Sequence, residues 1–273
     1  MDSITDFFDD MNDRIFIATF SKGAIGVAKE FGLGLEINDL CISSNLNPEN
    51  REWVIARIKK EIAAVYGEEW FTEDKSVRRK VFFHGPFTEL TPAAIDNRAI
   101  ALIEERYRET LDIADEFGIK DIVLHDGYIP LMYQKSWHIK KSVDFWNQFL
   151  DSVSESYTFY IENVFDDEPY MLTEIVDEVC RKNFKICLDV GHANCMTKGI
   201  AVEDWMSTMG NRIGHLHLHN NDGSGDQHNA FSEGSLDMAS LLKVCVPNCC
   251  KNATLTIESR DAIQDAKFFQ KLL

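Results

Sequence analysis

Short β-rich runs alternate with longer helical runs from one end of the chain to the other. The helical runs repeat apolar residues every three or four positions, at 50–67, 98–118, 142–156, 170–183 and 262–273. The β-rich runs are dominated by β-branched, aromatic and other apolar residues. Eight of them predict strands, at 14–19, 34–38, 80–85, 121–126, 158–163, 185–190, 213–219 and 254–259.

Eight strand–helix units without a linker or a break in composition predict an α/β fold, a single (β/α)8 TIM barrel. The predicted domain spans 1–273, with 1–13 as a short N-terminal extension, and a length of 273 residues suits one large barrel. The alternative is an open, doubly wound sheet. That fold would place a glycine-rich phosphate turn after the first strand, and 21–32 (SKGAIGVAKEFG) matches such a turn poorly.

Charge and cysteine usage narrow the possible partners and compartment. The chain has 28 Lys and Arg against 45 Asp and Glu, a net charge of −17, so it offers no basic stripe and nucleic acid is an unfavoured partner. Its seven cysteines form no CxxC pair, which argues against disulfides and a thiolate zinc site. The acidic start is unlike a secretory signal, and no run is long and apolar enough for a membrane span. We therefore expect a cytoplasmic protein, as a monomer or an oligomer.

Side chains able to bind metal fall at or just after the ends of predicted strands three to eight. In a parallel barrel these ends converge on one rim, so the residues become neighbours around a single pocket. Four carboxylates and five imidazoles would repel and be poorly solvated there unless cations compensated them. Oxygen and nitrogen ligands predict one to three divalent ions, Zn²⁺ or Mn²⁺. The candidates are His84, His125, Glu162, Asp189, His192, His217, Asp226, His228 and Glu258.

Several of these residues also have an ordinary structural interpretation. Taken alone, His84 or His125 is typical of a hydrogen-bonded histidine at a barrel rim. Asp189 sits where a helix N-cap would lie, before a glycine turn. Glu162 and Glu258 end apolar strands, where a carboxylate without a partner is costly, and for these two we favour a functional role.

Three histidines share one face of the seventh strand, because side chains alternate along a strand. They cannot all reach one layer of metal ions, and we choose His217 as the ligand. His215 then lies deeper in the barrel, as a supporting or satisfied core group. His219 lies higher and is predicted to contact substrate.

Other residues are predicted to form the walls of the pocket. Phe87 and Tyr128 follow the histidines of strands three and four and are candidates for substrate contact, although a structural aromatic is the ordinary alternative. Arg260 could hold a phosphate, or it could be a surface cation. Glu36, at the end of the second strand, is predicted to be polar lining.

The chain resembles the xylose-isomerase-like TIM-barrel superfamily from strand one to strand eight. This superfamily groups sugar and sugar-phosphate isomerases and epimerases with endonuclease IV-type nucleases, the AP endonuclease 2 family. The last four of the following motifs carry the specific part of the similarity. They are FHGPF (83–87), VLHDGY (123–128), YIEN (160–163), LDVGHAN (188–194), HLHLHNNDGSGDQH (215–228) and TIES (256–259).

The resemblance implies two different ligand sets. The isomerase pattern places one divalent ion among Glu162, Asp189, His217 and Glu258, with His192 beside it as a substrate-binding, catalytic histidine. The nuclease pattern uses three zinc ions and all nine candidates, and every one of those positions holds the expected residue type. The chain departs from the nucleases in three features: its acidic charge, the short loop from His217 to Asp226 and the lack of basic DNA-penetrating loops.

These observations favour a divalent-metal-dependent isomerase or epimerase acting on a sugar or sugar phosphate. Glu162 and Glu258 would exchange a proton with the substrate from opposite faces of a hydroxy-carbonyl group. The first alternative is a multinuclear zinc phosphodiesterase or phosphoesterase of the endonuclease IV type. The second is a barrel that binds a sugar without catalysis.

Overall fold

Eight parallel strands close into a barrel in sequence order, which confirms the predicted fold. The structure is a computed structural model that describes residues 12–74, 80–197 and 199–272. Residues 1–11 of the predicted N-terminal extension lie outside these ranges. Strands β1 to β8 run Ile15–Ala18, Gly34–Ile37, Val81–His84, Asp121–His125, Thr158–Glu162, Phe184–Asp189, Ile213–Leu218 and Thr254–Ile257.

Helices follow the strands and cover the outside of the barrel. Short 3₁₀ turns lie at Asn12–Arg14, Ser43–Leu46, Glu68–Phe71 and Gly210–Arg212, and Leu241–Cys245 forms a π-helical stretch. No helix of the described residues is long and apolar enough to cross a membrane. Helices α1 to α10 run Ala24–Phe31, Pro48–Tyr66, Asn97–Phe117, Lys135–Asp151, Tyr170–Val179, Val190–Met196, Val202–Met209, Met238–Ser240, Val246–Cys249 and Ala262–Leu272.

The main apolar core lies between the strands and the surrounding helices. Trp146 on α4 is fully buried there, with its ring 5.8 Å from Tyr107 and 5.0 Å from Phe184. Helix α4 begins at Lys135, earlier than the predicted helical run at 142–156. Its first turns bury His138, so the helix face that packs inward includes a polar side chain that an apolar repeat does not reveal.

A second, smaller apolar cluster fills the inside of the barrel. It consists of Phe16, Phe82, Val123, Tyr160 and Cys187, one residue from each of five strands. Gly34 makes room for it, because a Cβ at this position would lie 2.2 Å from Cδ1 of Phe16. This cluster lies in the barrel below the polar residues at the C-terminal ends of the strands.

The register of the strands aligns the polar residues at those ends. His125 pairs with Glu162 across β4 and β5, and Asp189 pairs with His217 across β6 and β7. A shift of register between Ile186 and Cys187 precedes the second pairing. Candidate ligands that are far apart in sequence are therefore direct neighbours on the rim.

Replacing Trp146 with alanine should lower the free energy of unfolding by about 3–5 kcal/mol, because the cavity left in the outer core cannot fully collapse. Trp53→Ala provides the control, since Trp53 is 55% exposed on α2. Urea unfolding followed by circular dichroism measures both. Equal destabilisation by the two substitutions would contradict the assignment of Trp146 to the core.

Candidate metal centre

The first group of candidate ligands surrounds one oxygen of Glu162. Oε2 of this carboxylate lies 3.2 Å from Nε2 of His84, 3.5 Å from Nε2 of His125 and 3.3 Å from Nδ1 of His217. These side chains point inward because each lies two residues beyond a residue of the barrel interior, as Glu162 does beyond Tyr160. Histidines from three other strands thus converge on a single buried carboxylate oxygen.

A second group lies beside the first and shares Glu162 with it. The ligand atoms of Glu162, Asp189, His217 and Glu258 all lie within 4.8 Å of one another. Nδ1 of His217 is 3.0 Å from Oε2 of Glu258 and makes no hydrogen bond of acceptable geometry within the described residues. A buried nitrogen facing two carboxylates in this way fits the coordination of a cation.

A third group lies nearer the loop that follows β7. Oδ2 of Asp226 lies 3.4 Å from Nε2 of His192, and Oδ1 of Asp226 lies 3.2 Å from Nε2 of His228. His219 belongs to this group as well, and the four ligand atoms lie within 4.8 Å of one another. The nine predicted candidates are therefore brought together on one side of the barrel, in three adjoining groups.

The outer nitrogens of three histidines are anchored to the backbone. Nδ1 of His84 donates to the carbonyl oxygen of Gly85 at 3.0 Å, Nδ1 of His192 to that of Asn163 at 3.0 Å, and Nδ1 of His228 to that of Glu258 at 2.8 Å. Each hydrogen bond fixes the tautomer and turns the lone pair of Nε2 toward the carboxylates. Ligand histidines in metalloproteins are held in this manner, so these residues fit a Zn²⁺ or Mn²⁺ ion.

The two carboxylate oxygens of Asp189 have different surroundings. Its Oδ1 accepts a hydrogen bond of 2.6 Å from the backbone nitrogen of His192 and caps the start of α6. Its Oδ2 is buried and makes no hydrogen bond in the described part of the chain. One oxygen therefore caps the helix, and the other is free to coordinate a cation.

Glu36 supports the site from below, a role that its prediction as polar lining did not include. It is fully buried, and its Oε1 lies 3.0 Å from Nε2 of His217, on the ring edge opposite Nδ1. Its Oε2 accepts hydrogen bonds from Thr256 and from His215, the latter at 3.1 Å. Only the barrel closure brings these residues of β2, β7 and β8 together, so spacing along the sequence gave no signal of this contact.

Opposite charges dominate the ionisation of the site. Burial alone would raise the pKa of Glu162, but the imidazoles of His217 and His125 hold this pKa well below its usual range. Burial would lower the pKa of His192, but the carboxylates of Asp189, Asp226 and Glu162 hold it well above its usual range. Burial lowers the pKa of His125 to about 3. With no cation bound, protons on imidazoles whose pKa is raised balance the carboxylates; these are His84, His192, His217 and His228.

The predicted substrate residues divide into two pairs. Phe87 and Arg260 line a cavity of about 470 Å³ above the ligands, and the ring of Phe87 stacks on His125 at 4.1 Å. Tyr128 is buried against His138, outside this cavity. His219 is fully buried behind the cavity wall, at the level of the third group.

The fold and this rim define a barrel with a candidate metal centre at the C-terminal ends of its strands. The chain belongs to the xylose isomerase-like TIM barrel family, since the model of that family matches residues 75–266. An uncharacterised protein of Methanocaldococcus jannaschii is 28% identical over 71% of this chain and 70% of its own length. A probable endonuclease 4 of Mycobacterium leprae is 25% identical over 66% of this chain and 75% of its own length.

Solved structures show the same fold. A D-tagatose 3-epimerase-like protein superposes with a TM-score of 0.70 and 22% identity, over 95% of this chain and 96% of that one. A protein of Thermus thermophilus, solved after soaking with ZnCl2, superposes with a TM-score of 0.70 and 20% identity, over 95% of this chain and 97% of that one.

Zinc binding should release protons at neutral pH. Burial lowers the pKa of His228, but the hydrogen bond to Asp226 and nearby carboxylates raise it to about 9. Below this pH the imidazolium must lose its proton before Nε2 can coordinate an ion, so zinc affinity should rise with pH until about 9. Calorimetric titration at pH 7 in buffers of different ionisation enthalpy measures the release. A binding heat that is the same in every buffer would contradict it.

Replacing Glu36 with glutamine should weaken zinc binding by about 10–100-fold, because Nε2 of His217 loses the negative charge that faces it at 3.0 Å. Asp265→Asn is the matched control, since Asp265 is also fully buried but bonds to Ser259 and to the backbone nitrogen of Phe231. Competition with a chromophoric chelator gives the zinc affinity of each variant. If both variants retain the affinity of the unmodified protein, Glu36 has no part in metal binding.

Proposed function

We propose that this protein is a divalent-metal-dependent isomerase or epimerase of a sugar or sugar phosphate. One observation carries the proposal: Oε2 of Glu162 and Oε2 of Glu258 approach the same nitrogen, Nδ1 of His217, at 3.3 and 3.0 Å. Glu162 is the last residue of β5 and Glu258 directly follows β8, so the two glutamates lie three strands apart around the ring. A small substrate held between them would have one carboxylate on each of two sides, both within reach of its carbon atoms.

The cavity above the glutamates supports a small substrate. Its volume of about 470 Å³ lies in the range of small-molecule pockets. Phe20, Ile42 and Phe87 form apolar walls, while the ligand residues form a polar base. Apolar walls exclude water and favour the carbon face of a sugar ring or chain, and the polar base can bind its hydroxyl groups.

The residues of this chain divide the chemistry among themselves. A divalent ion bound by Glu162, Asp189, His217 and Glu258 would polarise the substrate carbonyl and acidify the adjacent C–H group. One of the two glutamates takes the proton from that carbon, and the other returns a proton from the opposite side. His192 lines the same cavity and holds a substrate oxygen through Nε2, since its Nδ1 is fixed on Asn163.

Phosphoester hydrolysis is the second candidate function. The observation in its favour is the sharing of Glu162 between two ligand groups, with a third group alongside, as expected for several ions at once. The similarity to an endonuclease 4 points the same way. Against it stand the net charge of −17 and the wall of the cavity, where Arg260 is the single lysine or arginine among the described lining residues.

Solvent hydrogen exchange separates these functions. The zinc-loaded or manganese-loaded protein is incubated in D2O with a panel of ketoses, ketose phosphates and aryl phosphodiesters. Deuterium at the carbon beside the carbonyl supports the isomerase or epimerase. Phosphoester cleavage without exchange supports the hydrolase. If neither reaction occurs and a ketose still binds, the result supports a barrel that binds a sugar without catalysis.

Replacing Glu258 with glutamine should reduce exchange and turnover by about 10²–10⁴-fold, because the amide cannot accept the substrate proton. The amide oxygen can still coordinate an ion, and the barrel should fold normally. Glu174→Gln is the control, since Glu174 is exposed on α5. Rates on the reactive ketose and melting temperatures measure both variants. Unchanged exchange in Glu258→Gln would remove this residue from the proton transfer.

A further inference from the structure

Asn163 joins the C-terminal ends of two neighbouring strands. It directly follows Glu162, the last residue of β5, and it is fully buried. Its Oδ1 accepts a hydrogen bond of 2.9 Å from the backbone nitrogen of Asp189, and its Nδ2 donates one of 3.1 Å to the carbonyl oxygen of the same residue. Both polar atoms of this amide are therefore used on one residue, the candidate ligand that ends β6.

The two hydrogen bonds continue the pairing of β5 with β6 beyond the last main-chain pair. That pairing ends at Glu162 and Cys187, two residues before Asp189. The amide of Asn163 offers one donor and one acceptor, as the main chain of a paired strand would, and so satisfies both backbone groups of Asp189. The start of α6, which Asp189 caps, is thereby held close to the end of β5.

The main chain of Asn163 holds a second candidate ligand. Its carbonyl oxygen accepts the 3.0 Å hydrogen bond from Nδ1 of His192, and that nitrogen also lies 3.3 Å from Oε1 of Glu162. Asp189 belongs to the second ligand group, His192 to the third, and Glu162 to the first and the second. One residue thus sets how ligands of all three groups lie relative to one another.

A second asparagine shows what joining these two strands requires by itself. Asn183 lies just before β6, at the opposite end of the same strand pair. Its Nδ2 donates to the carbonyl of Tyr157 at 2.9 Å, and its own carbonyl accepts from the backbone nitrogen of Phe159 at 2.9 Å. Neither partner is a candidate ligand. One side-chain hydrogen bond is enough at that end, whereas Asn163 uses its whole amide on a residue whose carboxylate faces the site.

We propose that Asn163 is a positioning residue of the metal centre: its amide fixes Asp189, and its carbonyl fixes His192, relative to Glu162. The inference rests on the metal centre of the proposed function. A working site needs its ligands held to within about 0.5 Å by groups that do not themselves bind the ion. Without the amide, the buried backbone groups of Asp189 lose their partners, and the carboxylate of this residue loses its fixed position.

The test compares Asn163→Ala and Asn163→Gln with the unmodified protein. Asn163→Ala removes the amide. Asn163→Gln keeps an amide on a longer arm, which can stay bonded to Asp189 only if the backbone there moves, and it covers the case in which Asn163→Ala does not fold. Asn183→Ala is the matched control, because it removes an asparagine that joins the same two strands away from the site.

Three measurements are made on each variant. Competition with a chromophoric chelator gives the zinc affinity, and the visible spectrum of the cobalt-loaded protein reports the geometry of the ligands around the ion. The melting temperature of the metal-free protein reports the loss of structural hydrogen bonds. A residue that only joined the strands would change the melting temperature and leave the cobalt spectrum as it is.

Both Asn163 variants should bind zinc about 10–100-fold more weakly, the loss expected when a group that orients a ligand is removed. Their cobalt spectra should change in band position and intensity, because Asp189 reaches the ion from a displaced backbone. Asn183→Ala should lower the melting temperature of the metal-free protein, and its zinc affinity and cobalt spectrum should equal those of the unmodified protein.

Two results would overturn the inference while leaving the proposed function intact. One is a zinc affinity and a cobalt spectrum in both Asn163 variants equal to those of the unmodified protein. The other is the same loss of zinc affinity in Asn183→Ala, which would assign the effect to the strand pair as a whole. An unmodified protein that binds neither metal would instead refute the metal centre itself, and with it the proposed function.

Discussion

The buried carboxylate of Glu162 is the contact around which the whole site is arranged. Its Oε2 faces His84, His125 and His217 at 3.2–3.5 Å, and its Oε1 lies 3.3 Å from Nδ1 of His192. A carboxylate removed from water is costly unless positive charge compensates it. Protons on His84, His192 and His217 can supply that charge, and all four imidazoles can supply it by sharing bound ions. The closure of the barrel is what makes such compensation possible, since no single segment of the chain contributes more than a small part of it.

The layer of the barrel beneath the ligand residues contains a cluster of apolar side chains. Phe82 lies under the site and stacks on His215 at 4.5 Å, and Phe16 packs against Phe82 at 4.6 Å. Little water can therefore screen the charges from below, which strengthens every interaction among them. Glu36 is the carboxylate of this layer: it accepts hydrogen bonds from His215 and Thr256, and its Oε1 faces Nε2 of His217 at 3.0 Å. An ionised group can occupy the base only because its partners are fixed around it.

The sequence was sufficient for the fold and for the residues of the rim. Alternating strand and helix patterns gave eight strands close to their observed bounds, and the convergence of parallel strand ends identified residues such as His84 and Glu258 as neighbours. The sequence was not sufficient for contacts that depend on how deep a side chain lies in the barrel. Glu36 and His217 meet only through barrel closure, and the height of His219 depends on the space above Gly191. Tyr128 follows a ligand strand as a wall residue would, but it turns outward to pack on His138.

The third ligand group differs from the others because none of its members lies on a strand: His192 is on α6, and the other three follow β7 in the loop, namely His219, Asp226 and His228. This loop is nevertheless fixed to the main chain of the segment that follows β8. Nδ1 of His228 donates to the carbonyl of Glu258, and the backbone nitrogen of Arg260 donates to the carbonyl of His228 at 2.8 Å. His228 adopts a left-handed φ of 47°, a strained conformation for a side chain with a Cβ, and these two hydrogen bonds help to hold it there. The loop is thus attached to the main chain of residue 258, and not to its carboxylate. Chemistry at the Glu258 side chain and the position of the third group are therefore physically separable, although one residue takes part in both.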